Sequence, residues 1–368
     1  MTPHHRPTPA ARRAALDPRR TPATSRSRAR HARRRPRLTK QTAIVAVIAQ
    51  LLAVVGVIAV TSSPASALPA PVMTGYVPLP ADAFQGALAG ITTSPGTTLD
   101  FTVGITNAGA GAVMYYDQWE DGFEPDLSNP TQSSTLVFGD GNTSNGNAAT
   151  YCARCTGDTL PQGAALIMRN NVTTPRSAGT TKFDGSDKVG STRGFAITAG
   201  GFTTTLGSLL AAVVASYDTS KYDTAYTAPV GTDTPSPSGT SNAHSYAAFI
   251  VQAAQDGTVV QVDRDGDGTP DVTRTIAEGE ATRVPSIREG GTVHSSKPVQ
   301  VQLITGDTSA SYESRSYTLF PDTTLSSDYM SPAGSGVDNF RTINYLYNPH
   351  ATALTVTPTC TGCSGTIT

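Results

Sequence analysis

Short apolar runs with a period of two, each closed by glycine, proline, asparagine or aspartate, constrain this chain more than any other feature. Leu99-Asp-Phe-Thr-Val-Gly-Ile alternates strictly, and Val113-Met-Tyr-Tyr follows after a Gly/Ala turn. Ser134-Thr-Leu-Val-Phe, Ala164-Ala-Leu-Ile-Met and Phe195-Ala-Ile-Thr continue the pattern. Successive side chains of a strand point to opposite faces, so such runs fit half-buried strands better than helices. Leu206–Ser216 is the single helix candidate, and its valines and short length favour a strand there too. After a Gly/Thr/Pro/Ser stretch the runs resume as Tyr246-Ala-Ala-Phe-Ile-Val-Gln, Thr258-Val-Val-Gln-Val, Val272-Thr-Arg-Thr-Ile, Ala281-Thr-Arg-Val, Val299-Gln-Val-Gln-Leu-Ile and Ser316-Tyr-Thr-Leu-Phe. The expected fold is all-β, with one or two packed β-sandwich-like units at 72–229 and 243–340 and a loop at 230–242 between them. Thr342-Ile-Asn-Tyr-Leu-Tyr-Asn-Pro and Ala353-Leu-Thr-Val-Thr-Pro read as the first hairpin of a further β-unit at 341–368, the front of a longer protein.

The formal net charge of −1 averages two unlike pieces. Residues 1–40 hold 12 Arg and 1 Lys against one acid, Asp17, whereas residues 68–368 hold 14 basic and 27 acidic side chains. A folded part near −13 repels polyanions, which excludes nucleic acid as its partner. Residues 1–42 form a basic head expected to be disordered. Ala43–Val60 then runs for 18 residues with one polar side chain, Gln50, and Ala65-Ser66-Ala67 supplies a small-x-small site. Basic stretch, apolar core and cleavage site over 43–67 form the pattern of a secretory signal, followed by a short linker at 68–71. The positive-inside rule places everything after Val60 outside the cell. As a helix the run measures about 27 Å, close to a bilayer core, so the alternative is an uncleaved single-pass anchor with a cytoplasmic N-terminus. In either case the membrane is met only through this segment.

Four cysteines form two local pairs, Cys152-Ala-Arg-Cys155 and Cys360-Thr-Gly-Cys363. The spacing within each pair suits zinc, but an oxidising compartment favours two small-loop disulfides. Neither pair is expected to follow a strand and open a helix, so a thioredoxin-like redox site is not supported.

Two acidic constellations stand out. Asp263-Arg-Asp265-Gly-Asp267-Gly268-Thr-Pro-Asp271 has acids at positions 1, 3, 5 and 9 and glycine at 6, the front of a calcium loop. Arg274 occupies the place of the usual bidentate glutamate, and the flanks read as a hairpin, so a helical EF-hand is excluded. Ca²⁺ held by Asp263, Asp265, Asp267 and Asp271 is one reading; a turn whose Asp and Gly tolerate positive φ is the other. Tyr115-Tyr-Asp117-Gln-Trp119-Glu120-Asp121-Gly-Phe-Glu124-Pro-Asp126 contains the chain's only tryptophan. Asp117, Trp119, Glu120 and Asp121 there suggest a ligand site: acids beside an aromatic suit a glycan or a carbohydrate-active centre, while core aromatics above a solvated turn explain the same residues. Phe183-Asp184-Gly185-Ser-Asp187 reads as turn chemistry. No GxSxG, GxGxxG, Walker or HExxH motif occurs.

The run at 115–124 and Tyr217-Asp-Thr-Ser-Lys-Tyr-x-Thr-x-Tyr-Thr-x-Pro-Val-Gly at 217–231 resemble the start of long bacterial surface proteins, many with immunoglobulin-like repeats downstream. Ala253-Ala-Gln-Asp-Gly-Thr-Val-Val, Ile276-Ala-Glu-Gly-Glu and Gly291-Thr-Val-His-Ser-Ser-Lys-Pro-Val-Gln-Val resemble the N-terminal domain named after the IgG-Fc-binding protein. The resemblance spans about three quarters of the chain, from Gly75 to Leu354. It implies a secreted or surface-attached, adhesin-like β-protein without catalytic residues, meeting a surface protein or glycan. It does not imply IgG binding.

Overall fold

The computed structural model describes residues 68–205, 210–236, 242–310, 313–330 and 343–359. The basic head, the apolar run Ala43–Val60, the cleavage site and the Cys360/Cys363 pair lie outside the described residues. In chain order the strands are β1 (Met73–Tyr76), β2 (Thr98–Asn107), β3 (Met114–Asp117), β4 (Leu136–Phe138), β5 (Ala165–Thr173), β6 (Lys188–Ser191), β7 (Phe195–Thr203) and β8 (Ala211–Ser216). They continue with β9 (Asp223–Thr227), β10 (Tyr246–Ala253), β11 (Thr258–Asp263), β12 (Val272–Ile276), β13 (Ala281–Pro285), β14 (Thr292–Gly306) and β15 (Ser314–Thr318). The all-β expectation therefore holds, including the strand reading of Ala211–Ser216.

The strands form three antiparallel sheets. One runs β1-β6-β3-β4, a second β5-β2-β7-β8, and the third β12-β11-β14-β10-β13 with β9 and β15 also on β14. The third sheet curls until β12 and β13 approach each other, so it nearly closes. Its interior holds Phe249, Val251, Val260, Val262, Val301 and Leu303. A separate core, around Leu99, Phe101, Tyr116, Phe138 and Ile197, lies against the first two sheets.

Strand β10 is the shared wall. Ala247, Phe249 and Val251 face the barrel core, and Tyr246, Ala248 and Ile250 face the other. All eight of its residues are buried. This explains its unbroken apolar run, since a strand covered on both faces loses the polar half of the alternation. The stretches at 72–229 and 243–340, expected as one or two packed units, meet in one core, and β9, from the end of the first stretch, pairs with β14 of the second. The described residues belong to one compact unit. Burial on both faces also explains Gln252, Gln300 and Gln302, which alternation alone would send to solvent. Gln300 donates to Tyr76 O (3.1 Å) and Gln252 Oε1 (2.7 Å), while Gln252 donates to Val77 O (3.2 Å) and Gly279 O (3.1 Å). A buried amide needs such partners.

One helix escaped the strand reading. α1 (Ala81–Ile91) buries Ala81, Phe84, Ala87, Leu88 and Ile91 at helical spacing, with Asp82 in the first turn, where a negative charge suits the helix dipole. Gly86 and Gly90 disguise it, since glycine costs a helix interior about 1 kcal/mol each. The packing requires them: a Cβ on Gly90 would lie 2.0 Å from the Tyr246 ring of β10, and one on Gly86 2.7 Å from Arg283 Nε of β13. Residues 343–359, expected to open a further β-unit, carry no strand; a two-stranded hairpin without a third partner is marginal.

Candidate functional site

The run Tyr115–Asp126 leaves β3 through the turn Trp119–Asp121 and meets the loop 183–187 that leads into β6, the neighbour of β3. The β3–β6 register brings Asp117 opposite Lys188. Asp117 is fully buried and accepts from Glu124 N (2.8 Å) and Thr135 Oγ1 (3.0 Å). Glu120 accepts from Lys182 N (2.7 Å), and its second oxygen is buried without a partner. Asp121 alone of the four expected site residues is exposed, accepting from Ser134 Oγ. Trp119 donates its indole N–H to Asp184 (3.1 Å), and the Arg176 guanidinium lies 4.5 Å from the ring centroid. Part of the presumed aromatic platform is therefore covered by a cation from the chain itself.

Three residues that motif reasoning left out belong to this constellation. Asp187 is fully buried and accepts from Tyr116 Oη (2.5 Å), Trp119 N (3.3 Å) and Asp184 N (3.2 Å). Asp184 pairs with Arg176 at 2.7 Å, and Arg176 reaches Asp82 of α1 at 3.4 Å. The available signal was the Asp-Gly-Ser-Asp turn directly before a strand, with Ser186 at φ 99°. Crowded, buried acids have shifted protonation. Burial pushes Asp117 up to about 6 despite its hydrogen bonds, and Glu120 up to about 7. Burial also raises Asp184 to about 6 against the pull of Arg176, and holds Asp187 well above the usual range, with Asp184 adding to the effect.

The second constellation is the turn between β11 and β12, paired Val262 to Val272, so the hairpin reading holds. Asp263, Asp265 and Asp267 place one carboxylate oxygen each within 4.8 Å of the others, the only such group of three among the described residues. Asp271 turns away, accepting from Arg264 N (2.7 Å). Asp263 accepts from Gly268 N (2.7 Å), Gly266 N (2.8 Å) and Asp265 N (3.2 Å). Its slight burial would raise the carboxyl, but those backbone N–H groups outweigh it and hold the group below the usual range. Gly266 (φ 73°) and Gly268 (φ 91°) supply the left-handed backbone that the turn needs.

No family model, curated protein or solved structure matches this chain.

Chemically, the two sites differ. The first resembles an anchor: its carboxylates bind backbone N–H groups of their own loops and hold them to the sheet. The second offers hard oxygens of the type that suits Ca²⁺, from buried Asp263 and exposed Asp265 and Asp267, though three carboxylates are fewer than the six to eight oxygens the ion takes. Cys152 and Cys155, directly after α2 (Ala148–Tyr151), are joined in a disulfide with Cα atoms 5.3 Å apart. Among the described residues no helix is long and apolar enough to cross a membrane.

Proposed function

We propose that this chain is a non-catalytic, extracytoplasmic β-protein, an adhesin-like scaffold that presents surfaces to a protein or glycan outside the cell. The burial of Asp117, Glu120 and Glu124, three of the five acids at 115–126, carries the reading. A general acid–base pair must reach a substrate proton, whereas Asp117 and Asp187 are fully buried and held by donors of the fold. The apolar leader, the acidic body and the Cys152–Cys155 disulfide agree with export. So does the resemblance to bacterial surface proteins at 115–124 and 253–301. In the same reading Asp263, Asp265 and Asp267 gather Ca²⁺ and stiffen the β11–β12 hairpin, with water or a partner completing the shell.

The test is protease shaving of intact cells expressing the full chain with a C-terminal tag, combined with thiol alkylation. Loss of the tag from whole cells and unreactive Cys152 and Cys155 are expected. A protected tag with alkylated thiols would overturn export. A glycan array with the wild type and Trp119→Ala tests the carbohydrate reading: turnover of any glycan would replace the scaffold by an enzyme.

A further inference from the structure

His244 lies in the turn leading into β10 and is fully buried. Among the described residues neither ring nitrogen has a hydrogen-bond partner. Buried polar groups are almost always paired, so an imidazole with both nitrogens unsatisfied calls for a physical account. Its neighbour is Tyr345, whose ring stands edge-on to it with centroids 4.9 Å apart and planes at 85°. Tyr345 comes from residues 343–359, which carry neither helix nor strand, and it also packs on the barrel core. Two residues on, the Tyr347 hydroxyl sits 2.7 Å from where a Cβ on Gly290 would be, so glycine there lets the segment lie close. Beyond, the chain is held locally, Asn348 donating to Thr352 O (2.8 Å) and His350 N to Asn348 Oδ1 (3.0 Å).

We propose that residues 343–349 form an acid-released strap, pinned across the barrel by Tyr345 on the neutral imidazole of His244. The neutral ring fits the site because it needs no counter-charge. The imidazolium does not fit. It would carry two buried N–H donors without acceptors, beside Arg315. Among the described residues the charged groups that act on it are Arg315 and Glu313. Arg315 and Glu313 come from the β15 side and pair with each other at 2.6 Å, so Glu313 is already committed. Asp307, after β14, is held by Ser309. Burial holds the Tyr317 hydroxyl above the ordinary tyrosine range. Burial, and then Arg315, hold His244 below the ordinary histidine range, with Glu313 opposing them weakly. Of the elements around the ring, the strap is the one without a backbone ladder, and so the one that yields when the ring takes a proton and seeks water.

The sign follows from linkage. A group protonated more readily when released favours release as pH falls. For a freed imidazole near 6.5, the release equilibrium at pH 5.0 shifts by up to about thirtyfold relative to pH 7.5. Hydroxyl-radical footprinting of the full chain at both pH values, read at the side chains of Tyr345 and Tyr347, tests this. The released fraction at 343–349 should rise by up to about thirtyfold at pH 5.0, while Phe249 of β10 and Leu303 of β14 stay protected. His244→Phe keeps a packed ring without a titrating group and should abolish the pH response. Tyr345→Ala should expose the segment already at pH 7.5. Equal protection of 343–349 at the two pH values would overturn the proposal. An undiminished acid response in His244→Phe would do the same.

Discussion

The acids at 117–120 and 184–187 and those at 263–267 are the same residue types in two opposite settings. In the first, burial dominates and raises every shifted carboxyl. In the second, Asp265 and Asp267 are exposed, and backbone N–H groups pull Asp263 down although its burial opposes them. The contrast teaches that an acidic motif has no fixed meaning. Donors that outweigh desolvation make a stable anion that suits a cation; desolvation that outweighs the same kind of donors makes an anchor that tends to keep its proton.

The largest effect should separate these roles directly. Asp187→Ala strands three buried donors, Tyr116 Oη, Trp119 N and Asp184 N. It relieves some repulsion, but the unpaired donors outweigh that, and urea unfolding should report a loss of about 3–5 kcal/mol. Asp263→Ala frees donors that water reaches, for about 1 kcal/mol. Equal losses would erase the distinction between anchor and surface turn. Next comes the staple beside the first region. Cys152→Ser opens a very short loop, and the chain-entropy relation gives about 2 kcal/mol, measured by urea unfolding with and without reductant. A loss unchanged by reducing the wild type would place the effect elsewhere.

Calcium probes the second region. At ten times its dissociation constant a bound ion adds about 1.4 kcal/mol, seen as a rise in Tm that EDTA reverses and Asp265→Asn removes. An EDTA effect that survives Asp265→Asn would move the ion away from this turn. The smallest effect is in pH. Glu120, raised to about 7, favours its neutral form in the folded state, so its contribution is full below the unfolded value near 4.5 and is lost as pH rises through 7. Asp263, held low, contributes in the opposite sense: its share is present above the unfolded value near 3.8 and is lost in stronger acid. Glu120→Gln should therefore raise Tm by about 2–4 °C at pH 8 and by less at pH 5. A larger gain at the lower pH would refute the burial argument.

Several elements were legible from residue order alone. Period-two runs located β2, β5, β7 and β14, and the Asp/Gly turn located the β11–β12 hairpin. α1 was not, because Gly86 and Gly90 are set by the approach of Tyr246 and Arg283, residues more than 150 positions away. The glutamine ladder at Gln252, Gln300 and Gln302 was misleading for the same reason, since its covering layer comes from β1 and its surroundings. At the candidate site, Asp117, Trp119 and Glu120 were visible as a cluster. Asp184, Asp187 and Arg176 joined them only through the β3–β6 pairing.

What the order of residues determined was local: turn chemistry, side-chain alternation, and the charge split between a basic head and an acidic body. These depend on neighbours in the chain and on solvent, which every segment carries with it. Tertiary structure decided which alternating strand would be buried on both faces, which acids would lose water, and which histidine would be left without a partner. Desolvation depends on what arrives from elsewhere in the chain, and it is desolvation that raised the buried acids of the 115–126 motif.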